Sequence, residues 1–411
     1  MYAPRFNMKL VNFIKDILFT IHYGNPGNNH DEEFIRRLDR VDTSEVLLIV
    51  YELRYSNHGL TTKDVKSFFT YYERVFNKSL FAINNEFKSW HPVTLFIREN
   101  EALREATRKI NHLIQEVDSI TDPLTDEALI LQLQSSIYKI GEFINHYNRK
   151  EKLIFPLLEK HGQFSLTRIM WAEDDRIRNL YKSTKSMMDR LNSLNFIYVK
   201  ETFEHFYENF KEMFYQEETF LIPVIIDIFD EKDWLSIHEE SNAFGFALVK
   251  PTEGANKKQT TSRNIDKELA AKQFPFGGGF LTLNEANTIL NNLPVEITFV
   301  DKFGVFKYFN DMVEASEMIF VRTPSSIGRN VGNCHSPKSM KKVTQLIRDL
   351  QLRRREYECM WFKKDGKYVH ITYKGLFDQD GEYLGILEYV QDIKPFLNLP
   401  KEVKKELKPL S

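Results

Sequence analysis

The sequence has few cysteines, no excess of either charge and no long hydrophobic run. Its two cysteines, Cys334 and Cys359, lie in the last quarter of the chain, which excludes a disulfide framework and predicts a cytoplasmic protein. The 56 basic and 58 acidic side chains almost cancel, and no basic stripe is interleaved with aromatics, so nucleic acid is not expected as a partner. The longest apolar run, FLIPVIIDIF at 220–229, is about half the length of a membrane crossing. The first residues lack a small-residue cleavage site, so neither a membrane span nor a signal peptide is expected.

The length of the chain predicts several domains. Single hydrophobic cores stop growing well below 411 residues, so two or three domains are expected. Residues 1–85 hold short amphipathic stretches with capping signals such as Thr61 and Thr62, which predicts a small helical domain of unknown function. Residues 250–279 are polar and rich in Gly, Lys and Thr, a composition typical of a linker.

Between these two segments the apolar residues recur with helical periodicity. Long amphipathic stretches joined by short breaks predict an antiparallel four-helix bundle over residues 86–240. The four stretches are 89–119, 124–160, 165–193 and 197–231.

Two of these stretches carry the same motif, HYNRKEKLIFP and MFYQEETFLIP. The first residues are His146 and Met213, and the carboxylates in the equivalent slots five positions later are Glu151 and Glu218. Inward-facing His and carboxylate side chains on facing bundle helices supply ligands that suit iron. The repeat therefore predicts a metal site inside the bundle.

The bundle resembles the hemerythrin-like HHE cation-binding domains over all four helices. The motifs that carry the resemblance are His91-Pro-Val, His146…Glu151…Phe155-Pro156, the stretch WAEDDRIR from Trp171, and Glu217-Glu218…Pro223. The resemblance implies that iron or another divalent metal is bound. The candidate ligands are His91, His146, Glu151, Glu142, Asp174, Met213, Glu217 and Glu218.

The sequence also departs from the HHE pattern, which has Glu four residues after His. Lys150 stands at that position after His146, and Glu151, one residue later, is rotated by about 140° on an ideal helix. Glu142, four residues before His146, would share its face and is the alternative carboxylate. Two positions where histidines are expected hold other residues, Asp174 and Met213. A complete five-histidine, oxygen-carrying di-iron site is therefore not expected.

Other interpretations of these residues stay open. A carboxylate on a helix commonly lies on a solvated face, and a methionine commonly lies in a core. His146 and Met213 occupy equivalent slots on opposed helices, and a His/Met pair is a possible set of haem ligands.

Beyond residue 280 the hydrophobic period changes from helical to alternating. Five alternating segments, the Asp-Gly turns KDGK and QDGE, and helical segments at 282–291 and 337–352 predict a small α+β domain on an antiparallel sheet over 280–400. The five segments are VEITFVD, VFKYFN, YECMWFKK, YVHITYKGLF and YLGILEYVQDI. With Asp301 before a turn and the terminal VQDI, this region resembles a PAS sensor domain across about 285–395.

Cys334 and His335 are the candidate cofactor-binding residues of this domain. Thiolate and imidazole are both possible axial ligands of haem iron. The same turn has a local explanation, because Asn333 and Ser336 would cap the next helix and Pro337 suits its first turn. We expect the isolated domain to be colourless and to dimerise or bind a small organic ligand of unknown identity rather than haem.

The order of parts resembles that of hemerythrin-plus-PAS proteins. It implies a cytoplasmic sensory or regulatory protein with a metal-binding bundle and a PAS domain that senses a ligand or mediates assembly. The signal would pass through an unknown partner protein or a PAS homodimer. The alternatives are a metal oxidase or peroxide scavenger housed in the bundle, and a metal-free scaffold. A catalytic function is less favoured than a non-catalytic one.

Overall fold

The chain forms two compact units, Met1–Gly254 and Ala255–Ser411. The computed structural model describes residues 8–23, 43–55, 59–71, 87–120, 126–191, 196–251 and 272–397. Among the helices it describes, none is both long and apolar enough to cross a membrane.

The described N-terminal residues of the first unit form three helices, α1 (Met8–His22), α2 (Thr43–Tyr55) and α3 (Thr62–Tyr71). Asp64, in the first turn of α3, accepts the Thr61 amide at 2.6 Å, which supplies the predicted cap. The same carboxylate lies 2.8 Å from Nδ1 of His22 and ties α1 to α3. The central apolar run of α2, VLLIVY at 46–51, is buried on every side.

The predicted helical bundle follows and is confirmed. Its four long helical stretches begin close to the expected positions, but two of them are interrupted by short π-helical turns. The elements are α4 (Pro92–Asp118), α5 (Glu127–Ile140), α6 (Phe143–Arg149), the first π turn (Lys150–Ile154), α7 (Phe155–Lys160), α8 (Phe164–Asp189), α9 (Phe196–Gln216), the second π turn (Glu217–Leu221), α10 (Ile222–Ile228) and α11 (Glu231–Ser241).

The two π turns lie in the two repeated motifs. Each begins at the fourth residue after the start of its motif, at Lys150 and at Glu217, and each precedes a proline in the first turn of the next helix. A proline lacks the amide hydrogen that would close an α-helical turn, so a wider turn before it leaves fewer carbonyls mismatched. The fourth residue after the start of each motif, Lys150 or Glu217, is thus the first residue of a π turn, and both side chains are buried in the bundle.

Two hydrophobic cores lie within this unit. One core joins α1–α3 to one end of the bundle, with members such as Val50, Phe155 and Phe220. The other fills the opposite part of the bundle with aromatic side chains, including Phe143, Phe206 and Phe210. The N-terminal helices thus share a continuous core with the bundle.

The described part of the second unit starts with a two-stranded hairpin, β1 (Gln273–Phe276) and β2 (Gly279–Thr282). Most of the predicted 250–279 linker, residues 252–271, lies outside the described part of the chain. The helices and strands that follow are α12 (Leu283–Asn291), β3 (Glu296–Asp301), β4 (Phe306–Phe309), α13 (Met340–Gln351), β5 (Tyr357–Lys364), β6 (Lys367–Phe377), β7 (Tyr383–Asp392) and α14 (Lys394–Leu397).

The last five strands form an antiparallel sheet in the order β4-β3-β7-β6-β5, which confirms the predicted α+β fold. The turn between β5 and β6 has positive φ at Asp365 (49°) and Gly366 (76°), as the Asp-Gly signal predicted. On β3 the buried residues alternate, so that Glu296, Thr298 and Val300 share the inner face of the sheet.

Candidate functional site

A layer of buried charges crosses the bundle between its two hydrophobic cores. It contains one residue from each long helical stretch: Glu99, Lys150, Asp174 and Glu217. In each stretch, the nearest core residue before the charged residue belongs to one hydrophobic core and the nearest one after it belongs to the other, as Phe96 and Leu103 do around Glu99. The charged layer is therefore enclosed by apolar side chains at both ends.

The Lys150 ammonium lies at the centre of this layer. Its Nζ donates to Asp174 Oδ1 at 2.7 Å and to Glu217 Oε1 at 2.5 Å, and lies 3.4 Å from Met213 Sδ. The ring of Tyr147 is 4.1 Å from the same nitrogen. A single buried cation is thus surrounded by groups from three different helical stretches.

His146 lies beside the lysine and contacts two carboxylates. Its Nδ1 is 2.9 Å from Glu99 Oε2, and its Nε2 is 3.2 Å from Glu217 Oε2. Arg149 also donates to Glu99, and its guanidinium lies between the rings of Phe96 and Phe246. Because both imidazole nitrogens face carboxylates, the geometry favours the doubly protonated, charged ring.

The electrostatics of the layer agree with this protonation. Burial alone would lower the pKa values of His146 and Lys150, but the facing carboxylates outweigh it and raise both. Burial opposes the ionisation of Glu217, yet Lys150 and His146 bring its pKa down to about 2.

Asp174 behaves differently from Glu217. Burial raises the pKa of Asp174 well above its ordinary value, in spite of the attraction of Lys150. Burial is the largest cause, the negative charge of Glu151 acts in the same direction, and the cations Lys150 and Arg178 offset them only in part. Asp174 Oδ2 also has no hydrogen-bond partner among the described residues.

The structure brings together half of the sequence-predicted bundle ligands. Three of them contact the Lys150 ammonium, namely Asp174, Met213 and Glu217. The fourth, His146, contacts Glu217. His91, in contrast, occupies the N-cap position of α4, where its Nδ1 accepts the Val93 amide at 3.3 Å.

The remaining three carboxylates have other partners. Glu151 is buried but pairs with Arg178, whose Nη1 is 2.7 Å from its Oε1. Glu218 forms an ion pair with Arg104 at 2.6 Å. Glu142 is exposed, and its Oε2 accepts the Leu248 amide at 2.9 Å.

Sequence reasoning missed Glu99 and Arg149 and treated Lys150 as an obstacle rather than a member of the site. Glu99 and the neighbouring Asn100 are polar residues within the apolar face of α4, and both are fully buried. Polar residues within the apolar stripe of a helix were the sequence signal by which Glu99 could have been found.

The residues present do not fit a metal ion as they stand. Among the described residues, no group of His, Cys, Asp and Glu has an arrangement that could hold one. The Lys150 ammonium lies between the two carboxylates that would be ligands. At an effective dielectric constant of about 20, it would repel each unit of metal charge about 4 Å away by about 4 kcal/mol.

A second polar cluster lies on the inner face of the C-terminal sheet. Arg322 donates to Glu296 on β3 at 3.4 Å and to Glu388 on β7. Glu296 also accepts the amides of Ile319 and Phe320. The three charged side chains therefore form a linked group that leaves one excess negative charge.

Two buried threonines neighbour members of this cluster, one in the strand register and one in the sequence. Thr298 lies opposite Glu388 in the strand register, and Thr323 follows Arg322 in the chain. Both threonines are 3% exposed, and neither hydroxyl has a hydrogen-bond partner within the described residues. Buried hydroxyls are normally paired, so these two are available to a polar ligand or to water.

The predicted cofactor residues lie elsewhere in this unit. Cys334 Sγ is 3.5 Å from the Asn330 carbonyl, and His335 Nδ1 donates to the Val331 carbonyl at 2.9 Å. The expectation that the next helix is capped at Asn333 or Ser336 is wrong, because α13 begins only at Met340. Asn333 instead ends a separate 3₁₀ helix, Val331–Asn333, and the Ser336 carbonyl accepts the Ser339 amide at 3.0 Å.

Comparison with known proteins identifies two regions. Residues 91–226 match the family model of the hemerythrin HHE cation binding domain, and residues 286–394 match that of a PAS domain. No curated protein matches the chain significantly.

Several solved structures are similar to the C-terminal region. The crystal structure of a C-terminal domain from Streptococcus mutans is 50% identical, covers 32% of this chain and 99% of its own, and has a TM-score of 0.31. A PAS domain from Colwellia psychrerythraea is 17% identical, covers 28% and 98%, and has a TM-score of 0.22. A sensory box sensor histidine kinase from Vibrio cholerae is 16% identical, covers 26% and 90%, and has a TM-score of 0.21.

Proposed function

Since the chain contains a hemerythrin HHE domain and a PAS domain after a helical N-terminal region, we propose that it is a sensory or regulatory protein. The PAS domain recognises a small polar ligand on the inner face of its sheet. The signal passes to a partner protein or between two copies of the chain.

One observation carries this proposal, namely the partly buried cluster of Glu296, Arg322 and Glu388 together with two buried hydroxyls that have no hydrogen-bond partner among the described residues. Thr298 lies opposite Glu388 in the strand register, and Thr323 follows Arg322 in the chain. A domain that only had to fold would be expected to fill this face with apolar side chains, as it does at Val369, Ile371 and Val390. Burying charged groups and unpaired hydroxyls costs stability, so their presence supports a role in recognition.

The chemistry of the cluster defines the ligand class. Arg322 is already paired with two carboxylates, so the group as a whole attracts hydrogen-bond donors rather than anions. The two hydroxyls can both donate and accept. A neutral or cationic small molecule with N–H or O–H groups fits these partners.

The test uses full-length protein and two substitutions that remove one hydroxyl each, Thr298→Val and Thr323→Val. Native mass spectrometry and extraction of denatured protein should detect a small molecule in the wild type and less of it in both variants. Thr372→Val is the matched control, because Thr372 is a buried threonine of the same sheet whose hydroxyl lies 3.4 Å from Cys359 Sγ. Equal ligand content in all four proteins, including none, would contradict the proposal.

Metal binding in the bundle is the second candidate function. The family description names a cation, and His146, Asp174 and Glu217 are residue types that bind iron. Lys150 opposes this role in the wild-type protein. Elemental analysis of protein purified without a histidine tag shows whether the bundle binds a metal in spite of Lys150. Catalytic consumption of peroxide by iron-loaded protein would favour an oxidase or scavenger.

A further inference from the structure

We infer that Lys150 supplies the central cation of this bundle, and that a latent site for a divalent metal ion lies beneath its ammonium group. The inference concerns the bundle alone and does not depend on the proposed role of the PAS domain.

The contacts of Lys150 resemble the surroundings of a bound ion. Its ammonium group contacts Asp174 Oδ1 at 2.7 Å, Glu217 Oε1 at 2.5 Å and Met213 Sδ at 3.4 Å. The side chain is fully buried, so water does not share in solvating the charge from outside. The protein atoms alone therefore stabilise this cation.

The carboxylates that would bind a metal already face protein cations. The Lys150 ammonium lies against Asp174 and Glu217, and the Arg149 guanidinium lies against Glu99. A divalent ion would have to enter a buried place beside the Lys150 ammonium, which repels it. The wild-type layer should consequently exclude it.

Without the Lys150 ammonium group, the layer should be able to bind a divalent ion. The atoms that now face Nζ would surround a cavity bounded by two carboxylate oxygens and a thioether sulfur, with the ring of His146 hydrogen-bonded to one of the carboxylates. The unpartnered Oδ2 of Asp174 is a further buried acceptor in the same layer. Carboxylate and imidazole groups suit manganese and ferrous ions, so either ion would neutralise the exposed charge.

Two substitutions test the inference. Lys150→Glu places a carboxylate where the ammonium was, and Lys150→Met keeps the length of the side chain without its charge. Untagged full-length proteins are incubated with Mn²⁺ and desalted, and bound manganese is measured by elemental analysis and by the loss of the free-ion electron paramagnetic resonance signal. We expect at least about tenfold more bound manganese in Lys150→Glu than in the wild type, because metal sites form where buried ligands lack a cation.

Lys109→Glu is the matched control, since Lys109 lies on the same bundle with a side chain that is 71% exposed. It should bind no more manganese than the wild type. Manganese bound stoichiometrically by the wild type, or no gain in folded Lys150→Glu and Lys150→Met, would overturn the inference.

The thermal midpoint of the wild type provides an independent decision if both Lys150 variants fail to fold. A ligand that binds the native state raises the midpoint. An unchanged midpoint in excess Mn²⁺ supports the inference that the Lys150 ammonium excludes the ion. A rise shows that the wild type binds the ion and refutes the inference.

Discussion

Glu99 Oε1 accepts the backbone amide of Ala247 at 2.7 Å, so a carboxylate of the first bundle helix fastens the segment that follows the last one. The other oxygen of the same carboxylate contacts His146 and Arg149. One fully buried side chain therefore links the polar layer to a chain segment that is 148 residues away.

Replacement of Glu99 by Ala should destabilise the first unit severely. The substitution removes the carboxylate that Arg149 contacts and one of the two that His146 contacts, and breaking a buried pair in this way costs about 3–5 kcal/mol. Urea denaturation followed by far-UV circular dichroism measures the loss. Glu101→Ala on the exposed face of α4 is the control and should change stability by less than about 0.5 kcal/mol. A similar effect of the two substitutions would contradict this account of Glu99.

Lys150 and Glu217 should show strong energetic coupling in a double-mutant cycle. Lys150→Met takes from Glu217 one of its two cationic neighbours, and Glu217→Gln takes from Lys150 one of its two carboxylate neighbours. The double variant removes both charges of the pair. We expect the double variant to be more stable than additivity predicts by about 2–3 kcal/mol, measured in a buffer with chelator. Additive effects within about 0.5 kcal/mol would show that the ion pair contributes nothing specific.

The N-cap role of His91 predicts a dependence of stability on pH. Burial, together with the nearby charge of His238, lowers the pKa of His91 from 6.5 to about 4. Its neutral ring is favoured in the folded state, so its contribution is fully present above about pH 6.5 and is lost as the pH falls towards about 4. Asparagine caps a helix without titrating, so His91→Asn should reduce the loss of stability over this range. Denaturation midpoints at several pH values would measure it, and identical pH profiles for the two proteins would refute the prediction.

The sequence predicted the architecture well because the architecture depends on repeated, local signals. The four bundle helices and the five strands follow from apolar periodicity, and the turn at Asp365 and Gly366 follows from the positive φ angles that this dipeptide tolerates. Each of these signals is read within a few residues, and none depends on what the other elements contribute.

The candidate site was predicted only in part because its partners come from four distant segments. The motif pointed to His146, but a metal was expected where Lys150 supplies the charge. Whether the lysine side chain turns towards Asp174 and Glu217 depends on the π turn and on the packing of α8 and α9. The repeat motif contains no signal for Glu99, which lies 47 residues before His146.

Gly385 should be intolerant of any side chain. Its φ is 148°, and a Cβ atom at this position would lie 2.1 Å from the Val300 carbonyl oxygen on the paired strand. Gly385→Ala should therefore destabilise the PAS domain by about 3 kcal/mol or more, because backbone atoms of β3 and β7 must separate. Gly278→Ala is the control, since open space surrounds Gly278. Thermal denaturation of the second unit within the full-length protein compares them, and equal midpoints would contradict the strand geometry.

The charged layer between the two hydrophobic cores also fixes the axial register of the bundle. If one long helix slid along its neighbours by a single turn of about 5.4 Å, its charged residue would face apolar side chains and its partners on the neighbouring helices would lose an ion pair. Apolar cores penalise such a shift much less, because one large hydrophobic side chain can replace another. The ion pairs of Glu99, Lys150, Asp174 and Glu217 thus select one alignment of the four helices from several that would bury similar apolar area.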